Sequence, residues 1–438
     1  MDSGCCDMRL IPEKMQTSKL KIASETFWAF ASKGAAMVGT YGLMAFFVLR
    51  MDVESFGRWT FFTSILTLLA LCFELGLNNA LQRWVVIHRD GPALGDWMAS
   101  AWRLRLWLLL PTIGAPLALA APLAAWTGRP WLAGWMLAAV PWVALYGFVD
   151  FHKSVFEAAH RLRLTCAVNL VDFGLRLALA LAAYLITGSI LAVMAAYAVA
   201  AAVALLTGRA LRLRHLGPMG VPSAANNAAL LRYAVPVFLM SMAGHFSTEI
   251  DTLMIGLLLD DHATGVFGLP KQLVAYLPHV SMAFSMGVVP ALARDAVTNP
   301  AAALRRFRRF LALLALLYAL LVGGGTAGAL WIPREWLPAG YAGSVGPFIA
   351  LLPYVFFTAL GLYTGALLSY CGHAASRLLF LILTIALNIV LNLFWIPKYG
   401  VTGAAASSSV AMLPYFLLNW RQCERMLRSP APAAGATT

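Results

Sequence analysis

Apolar runs of about 20 residues recur along this 438-residue chain, and each is long enough to cross the hydrocarbon core of a bilayer. Only 12% of the residues are charged, whereas a soluble domain carries about 25%. Backbone polar groups in lipid must be satisfied within their own segment, so these runs are predicted to be helices. The sequence therefore predicts an all-α integral membrane protein. A soluble fold is excluded, because too little polar surface remains to cover such a core.

The apolar runs predict about twelve transmembrane helices in two six-helix bundles. The predicted spans are residues 26–48, 57–78, 101–122, 131–151, 166–187, 190–207, 234–257, 269–292, 309–332, 346–370, 377–396 and 402–420. The longest interruption carries several Arg, Gly, Pro and Asn residues and is typical of a linker. The predicted parts are a cytoplasmic N-terminal segment (1–25), an N-terminal bundle (26–207), a cytoplasmic linker (208–232), a C-terminal bundle (233–420) and a cytoplasmic tail (421–438).

The basic residues predict the orientation of these helices. With the N-terminus in the cytoplasm, 24 of the 32 Lys and Arg residues fall on the cytoplasmic side and six on the outer side. Lys33 and Arg176 lie within spans. The excess of basic residues on the cytoplasmic side supports an even number of spans and cytoplasmic termini. It also explains the net charge of +13 by topology and attraction to membrane lipids, rather than by binding of nucleic acid. The six outer residues are Arg50, Arg58, Arg129, Lys271, Arg334 and Lys398.

Motifs of the common catalytic and cofactor sites are missing from the sequence. It has no Gly-rich phosphate loop ending in Gly-Lys-Ser/Thr, no Cys/His cluster and no nucleophile elbow. We therefore expect no enzyme activity, no metal site and no cofactor. The six cysteines have no framework spacing and are expected to be free thiols.

Two segments about 210 residues apart form a faint internal repeat. Residues 56–59 (FGRW) and residues 264–267 (TGVF) each open a predicted span after acidic residues. Parallel halves related by an axis along the membrane normal are a recurrent transporter design, with the substrate path between the halves. The repeat is in keeping with that design.

Several segments also resemble a known family. Residues 395–406 (WIPKYGVTGAAA) closely resemble the turn and helix start found in polysaccharide flippases of the multidrug/oligosaccharidyl-lipid/polysaccharide (MOP) superfamily. Residues 54–59 (ESFGRW), 73–77 (FELGL) and 251–256 (DTLMIG) are similar to the same branch, the Wzx-type transporters. The resemblance implies a V-shaped, MATE-like transporter in the bacterial inner membrane.

The function implied by the resemblance is that of a flippase. It would move an undecaprenyl-(pyro)phosphate-linked oligosaccharide from the cytoplasmic to the periplasmic leaflet by alternating access, for biosynthesis of a surface polysaccharide such as O-antigen or exopolysaccharide. The implied partners are this lipid-linked substrate, membrane lipids and polysaccharide polymerase or assembly proteins. One rival is a MATE-type drug/cation antiporter, which would need a carboxylate-rich cavity. A rival of another class is a membrane-embedded glycan polymerase or ligase, but the predicted outer loops are short.

Cations within or at the ends of spans are candidates for the substrate cavity, because charges in a membrane are costly and tend to face a cavity. Lys33 either snorkels to the headgroups or binds a substrate phosphate. Lys271 either contacts the cavity or anchors the outer interface. Arg176 lies four residues after Asp172, on the same helical face, so the two are predicted to neutralise one another.

Three acidic residues are candidates for ion coupling or gating: Asp172, Glu249 and Asp251. The Asp172–Arg176 pair is either structural or a gate for an anionic headgroup. Glu249 and Asp251 are two residues apart and point to different faces of their helix. One of them would take up H⁺ or Na⁺, and hydrogen bonding between helices is the alternative.

Two further segments have simpler interpretations. The small residues 403–409 predict tight packing of the last two helices and no contact with substrate. The arginines at positions 305, 306, 308 and 309 predict a topological stop, with contact to anionic lipid as the alternative.

Overall fold

The structure is a computed structural model that describes residues 19–88, 91, 93–331 and 340–428. Residues 1–18 of the predicted N-terminal segment, residues 429–438 of the tail, and Arg334 lie outside the described residues. Within the described ranges the regular structure is helical. The helices are α1 (Lys19–Arg50), α2 (Val53–Glu74), α3 (Leu77–His88), α4 (Leu94–Thr127), α5 (Pro130–Ala158), α6 (Leu162–Thr187), α7 (Ile190–Leu216), α8 (Ala224–Leu258), α9 (Asp261–Ala275), α10 (His279–Thr298), α11 (Pro300–Trp331), α12 (Val345–Tyr370) and α13 (Ala374–Arg428), with a 3-10 turn at Tyr341–Ser344.

The prediction of a multi-span, all-α membrane protein is confirmed. Across the described ranges, eleven helical segments are long and apolar enough to cross a membrane. The last of them, α13, contains both final predicted spans, and non-helical backbone at Gly400 (φ 59°, ψ −144°) separates them. A positive φ is accessible to glycine at little cost, which explains the kink in the predicted turn. With α13 counted as two spans, the structure matches the twelve predicted spans.

Most helices extend beyond the predicted spans, because hydropathy marks only the part of a helix that is embedded in lipid. Helix α2 is an exception at one end, since it ends at Glu74, before the predicted residue 78. In the predicted interruption 208–232, helix α7 ends at Leu216 and α8 begins at Ala224, leaving residues 217–223 outside a helix. The predicted eighth span is interrupted at residues 276–278, between α9 and α10, where Pro278 lacks an amide hydrogen to donate.

The chain forms two compact units. The first comprises Met1–Leu43, Asn78–Trp107 and Pro141–Leu230. Part of its core is a cluster of buried side chains on α5, α6 and α7 that includes Val149, Phe156 and Val168. The second comprises Met44–Leu77, Leu108–Val140 and Leu231–Thr438, and its largest core cluster joins helices α8 to α13. The division into bundles 26–207 and 233–420 stays a prediction.

The two repeat segments pack against each other within the second unit, where α2 crosses α9. A Cβ atom at Gly57 would overlap the carbonyl oxygen of Asp261, and a Cβ atom at Gly265 would overlap that of Val53. Each glycine therefore meets the residue four positions before the other glycine, which is the relation expected of a local two-fold axis. Only glycine permits so close an approach of two helix backbones.

The same symmetry extends to the helix caps. Asp52 precedes α2 and accepts a hydrogen bond from the Ser55 backbone amide at 3.0 Å. Asp260 precedes α9 and accepts one from the Ala263 amide at 2.7 Å. Hydrogen bonds donated by Ser55 hold the pKa of the Asp52 carboxyl below its ordinary value.

Candidate functional site

Polar side chains inside the spanning helices form separate clusters in the two units. Isolated charges in such helices are costly, so clusters of partnered polar groups mark the places where function can reside. Among the described residues, no group of three or more His, Cys, Asp or Glu side chains is arranged to hold a metal ion.

In the first unit, the predicted ion pair between Asp172 and Arg176 forms on α6. The Asp172 side chain is completely buried, and its Oδ1 accepts a hydrogen bond from Arg176 Nη2 at 2.5 Å. Lys153 of α5 adds a second cation, with its Nζ 3.7 Å from Asp172 Oδ2 and 2.7 Å from Asp150 Oδ1. The four residues form a neutral cluster of two carboxylates and two cations, which we call the Asp172 cluster.

Aromatic rings surround the cations of the Asp172 cluster. The Arg176 guanidinium carbon lies within 5.4 Å of four ring centroids, and the Lys153 Nζ lies 4.6 Å from the Tyr146 centroid. Ring faces attract cations, and here they replace part of the hydration that the helices exclude. The four rings around Arg176 belong to Trp142, Tyr146, Phe173 and Tyr197.

Lys33 of α1 is exposed and interacts electrostatically with Glu157 near the end of α5. Glu157 also interacts with Lys153, four residues earlier on the same helical face. Charges of alternating sign therefore run from Lys33 along α5 to the Asp172 cluster. Asp150 is the most open member of that cluster, with 27% of its side chain exposed.

In the second unit, Asp251 of α8 is buried among neutral hydrogen-bond donors of α13. Asn392 Nδ2 donates to its Oδ1 at 2.7 Å, and Ser408 Oγ donates to its Oδ2. Asn388 extends the network by donating to Ser408 Oγ at 3.1 Å. Within the described part of the chain, Asp251 forms no ion pair. We call these four residues the Asp251 cluster.

One amide oxygen of the Asp251 cluster has no hydrogen-bond partner among the described residues. It is Asn392 Oδ1, and the Asn392 side chain is completely buried. A lone carboxylate with nearby amide and hydroxyl oxygens is chemically suited to take up a proton or a small hard cation. Uptake of one positive charge would neutralise the cluster.

Glu249 and Lys271 form an ion pair that connects three helices of the second unit. Lys271 Nζ lies 2.5 Å from Glu249 Oε2, which also accepts a hydrogen bond from Ser64 Oγ of α2 at 2.6 Å. The lysine donates to Thr252 Oγ1 at 2.7 Å as well. As predicted, Glu249 and Asp251 face different partners.

Next to the crossing of α2 and α9, Asp261 is held by two arginines. Arg129, just before α5, donates from Nε to Asp261 Oδ1 at 2.7 Å and from Nη2 to the Gly256 carbonyl at 2.6 Å. Arg58 of α2 donates from Nε to Asp261 Oδ2 at 3.1 Å. We call Arg58, Arg129 and Asp261 the Asp261 clasp. Both arginines belong to the six basic residues predicted on the outer side.

Comparison with known families identifies the chain. The sequence profile of the family described as "Polysaccharide biosynthesis protein" matches residues 22–295, more than half of the chain. The chain belongs to this family. This agrees with the predicted resemblance to polysaccharide transporters of the MOP superfamily. Among proteins with curated descriptions, none matches the sequence.

Solved structures of transporters share the fold of this chain. The lipid II flippase MurJ, in an inward closed conformation, has a TM-score of 0.72 at 11% identity, covering 91% of this chain and 87% of MurJ. An inward-facing multidrug resistance MATE family transporter of the MOP superfamily has a TM-score of 0.70 at 14% identity, with coverage of 93% and 96%. The MATE transporter VcmN of Vibrio cholerae, in the bent form, has a TM-score of 0.58 at 15% identity, with coverage of 94% and 99%. At these identities the likeness establishes the MOP transporter fold.

The structure of this family member places the six predicted site residues in three groups. Asp172 and Arg176 meet in the first unit, where Lys33 reaches the same row of charges through Glu157. Glu249 and Lys271 meet each other, and Asp251 lies apart in its own cluster. The roles assigned to these residues stay predictions.

Sequence reasoning missed the residues that complete these groups. The predicted fourth span ends at residue 151 and leaves Lys153 in a cytoplasmic loop, whereas α5 continues to Ala158. The spacing of Tyr146, Asp150, Lys153 and Glu157, which recurs every three or four residues, was the available signal for a polar helical face. Ser408 was assigned to tight packing alone. It is buried as predicted, yet it also binds the Asp251 carboxylate.

Proposed function

We propose that this protein is a flippase that moves an undecaprenyl-(pyro)phosphate-linked oligosaccharide from the cytoplasmic to the periplasmic leaflet of the bacterial inner membrane. The observation that carries the proposal is the Asp172 cluster: two cations, Lys153 and Arg176, held inside membrane-spanning helices of a polysaccharide biosynthesis protein. Such cations suit a substrate that carries phosphate. Their carboxylate partners balance their positive charge when no substrate is bound.

Phosphate binding would proceed by exchange of partners. A phosphate oxygen is the same kind of hydrogen-bond acceptor as a carboxylate oxygen, and arginine binds both in bidentate fashion. Asp150, the most open member, would be the first carboxylate to be displaced. Lys33, exposed and paired only at a distance with Glu157, would meet the phosphate before it reaches Lys153. This assigns Lys33 and Arg176 to one substrate path.

The Asp251 cluster would couple transport to an ion gradient. The hydrogen bonds that its carboxylate accepts come from the neutral side chains of Asn392 and Ser408, so binding of H⁺ or Na⁺ would change the net charge of the cluster. Its hydrogen bonds join α8 to both parts of α13 on either side of the kink at Gly400. Ion uptake would therefore alter how these helices are held together.

Alternating access would require the crossing of α2 and α9 to open. Under the predicted topology this crossing lies on the periplasmic side, and the Asp261 clasp holds it closed. Release of sugar into the periplasm would break the bonds of Arg58 and Arg129 to Asp261. Both termini would lie in the cytoplasm, and the flipped product would pass to polymerase or assembly proteins outside the membrane.

Opening of the crossing can be measured by the reactivity of a cysteine placed within it. Thr264 is completely buried there, so in a chain without its native cysteines T264C is expected to react slowly with a membrane-impermeant thiol reagent. Asp261→Asn should raise this rate about tenfold, as expected for loss of about 1.4 kcal/mol of closing interaction. Glu54→Gln removes a partner of Arg58 at an exposed ion pair and serves as the control, with little expected change. Equal rates of thiol reaction in all three chains would contradict the proposal that the Asp261 clasp holds the crossing closed.

The function itself is tested by reconstitution in liposomes. A phosphate-linked lipid oligosaccharide with a fluorescent sugar is placed in the inner leaflet, and its appearance outside is followed with an impermeant quencher. We expect faster exposure than in protein-free vesicles, and no acceleration for a matched lipid-linked sugar without phosphate. The proposal fails if the protein does not accelerate exposure of the phosphate-linked substrate.

A drug/cation antiporter is the second candidate, favoured by the fold shared with MATE transporters. In that case the same liposomes would extrude a fluorescent organic cation against an ion gradient and would not move the lipid-linked sugar. An enzyme that polymerises or ligates the glycan would instead change the length of the sugar chain, which is visible by mass spectrometry of the same reaction.

A further inference from the structure

Seven arginines from two helices distant in sequence meet at one end of the second unit. They are Arg305, Arg306, Arg308 and Arg309 of α11 and Arg421, Arg425 and Arg428 of α13, which we call the arginine patch. Arg308 Nε lies 2.8 Å from Glu424 Oε1, and Arg428 Nη2 lies 2.6 Å from the other oxygen of the same carboxylate. Glu424 thereby joins the two rows of arginines into one surface.

The patch has a buried side and an exposed side. Phe307, Cys423 and Leu427 lie between the arginines in sequence and are buried in the core of the unit. The seven arginines are exposed. The helix segments that carry the patch are therefore anchored in the core, and the arginine side chains are accessible from outside the protein.

The carboxylates in contact with the patch do not balance its charge. Glu424 serves two arginines, and Asp295 of α10 pairs with Arg306. Within the described part of the chain, Arg305, Arg309 and Arg421 have no hydrogen bond or ion pair with a side chain. Helix polarity does not account for the α11 row either, because the start of a helix favours acidic side chains.

Both helices place the patch at the depth of lipid headgroups. Residues 310–331 of α11 contain no charged residue, and neither do residues 399–420 of α13. Each stretch is long enough to cross the hydrocarbon core, and the arginines begin where each stretch ends. The contact between Arg308 and Glu424 shows that the two boundaries lie at the same level.

We infer that the arginine patch is a binding surface for the headgroups of anionic phospholipids. Guanidinium groups bind phosphate oxygens in bidentate fashion, and two converging rows offer several such contacts to one headgroup. The positive-inside rule accounts for basic residues in each segment separately, but it does not require them to meet or to share one carboxylate. This inference is independent of the transported substrate.

Binding is tested with dansyl-labelled phosphatidylglycerol titrated into the full-length protein in detergent, followed by energy transfer from tryptophan. Replacing Arg305, Arg309 and Arg421 by Gln should weaken binding at least about tenfold, since each basic residue at a membrane surface contributes about 1 kcal/mol. The control replaces Arg209, Arg214 and Arg232, which are exposed and lie on the same predicted side, by Gln. The control removes the same charge and should weaken binding less than twofold.

Two further comparisons sharpen the test. Dansyl-phosphatidylcholine should bind the wild type and the patch variant equally, and inorganic pyrophosphate at equal ionic strength should not displace phosphatidylglycerol. If the triple variant does not fold, each single Gln variant should weaken binding about fivefold. Unchanged binding in the patch variants, an equal loss in the control, or displacement by pyrophosphate would overturn the inference.

Discussion

Asp172 and Asp251 are both buried carboxylates within apolar helices, yet their surroundings are opposite. Asp172 in the first unit contacts two cations enclosed by aromatic rings. Asp251 in the second unit accepts hydrogen bonds from Asn392 and Ser408, and Asn388 donates to Ser408. The first cluster contains two carboxylates and two cations, whereas Asp251 forms no ion pair among the described residues.

Both carboxylates are buried, so their partners, rather than their burial, distinguish them. A neutral ion cluster can exchange one anion for another, which suits a phosphate-bearing substrate. A carboxylate held by neutral donors changes its net charge when a cation binds, which suits ion coupling. Four carboxylates of this chain, in different surroundings, allow the comparison to be tested.

Breaking the Asp172 pair should have the largest effect on stability. Arg176→Gln leaves a fully buried carboxylate with Lys153 alone, and loss of one partner from a buried pair costs about 3–5 kcal/mol. The measurement is the midpoint of chemical unfolding in detergent. The double variant Asp172→Asn, Arg176→Gln should recover more than half of the loss. A double variant as unstable as the single one would contradict the ion-pair interpretation.

Asp251→Asn should affect transport far more than stability. The new amide can keep its oxygen toward Asn392 Nδ2, and its NH2 group can donate to Ser408 Oγ, so the cost should be about 1 kcal/mol. Under an imposed H⁺ or Na⁺ gradient, the rate of headgroup exposure in liposomes should fall at least about tenfold, as expected if about 1.4 kcal/mol of coupling is lost.

The control for Asp251 is Glu54→Gln, which removes an exposed carboxylate outside the cluster. It should retain the response to whichever ion drives transport. Separate gradients of H⁺ and Na⁺ identify that ion. If Asp251→Asn keeps the full response to both gradients, the two carboxylates do not differ in the proposed way.

Lys271→Gln tests a pair of intermediate burial. The Glu249 and Lys271 side chains are 16% and 19% exposed, and Glu249 keeps its hydrogen bond from Ser64 after the change. The pair is partly exposed, so we expect a loss of about 1–2 kcal/mol, between the values for surface and buried pairs. The same unfolding assay measures it. A loss of stability as large as that of Arg176→Gln would show that the exposure of an ion pair does not determine how much stability is lost when the pair is broken.

Asp52 is the solvent-exposed carboxylate of the comparison, and its replacement should have the smallest effect on stability. Asp52→Ala removes a helix cap and should cost about 1 kcal/mol or less at neutral pH. Because hydrogen bonds from Ser55 lower the folded-state pKa of Asp52, its stabilisation is present above a pH of about 4 and is lost as the pH falls through the folded pKa. Unfolding at pH 7 and at pH 3 measures this, with Asp52→Asn as a cap without a titrating group. A larger effect at pH 3 than at pH 7 would contradict the sign of the pKa shift.

The sequence indicated much of the candidate site by residue type. Charges in apolar runs singled out Arg176, Glu249 and Asp251, and helical spacing paired Asp172 with Arg176, as the structure confirms. The partners of Asp251 could not be predicted from the sequence, because asparagine and serine in an apolar helix are common packing residues. Their role depends on the approach of α13 to α8, across more than 130 positions of sequence.

The sequence by itself determined that this chain is a bundle of membrane-spanning helices, because runs of apolar residues in lipid have helix as their low-energy state. It also marked the glycines at the repeat. Tertiary structure decided that Gly57 and Gly265 meet, that Lys153 joins the Asp172 cluster, and that two distant rows of arginines form one surface. These facts depend on side chains from different helices, and a pattern along one helix carries no record of which other helix packs against it.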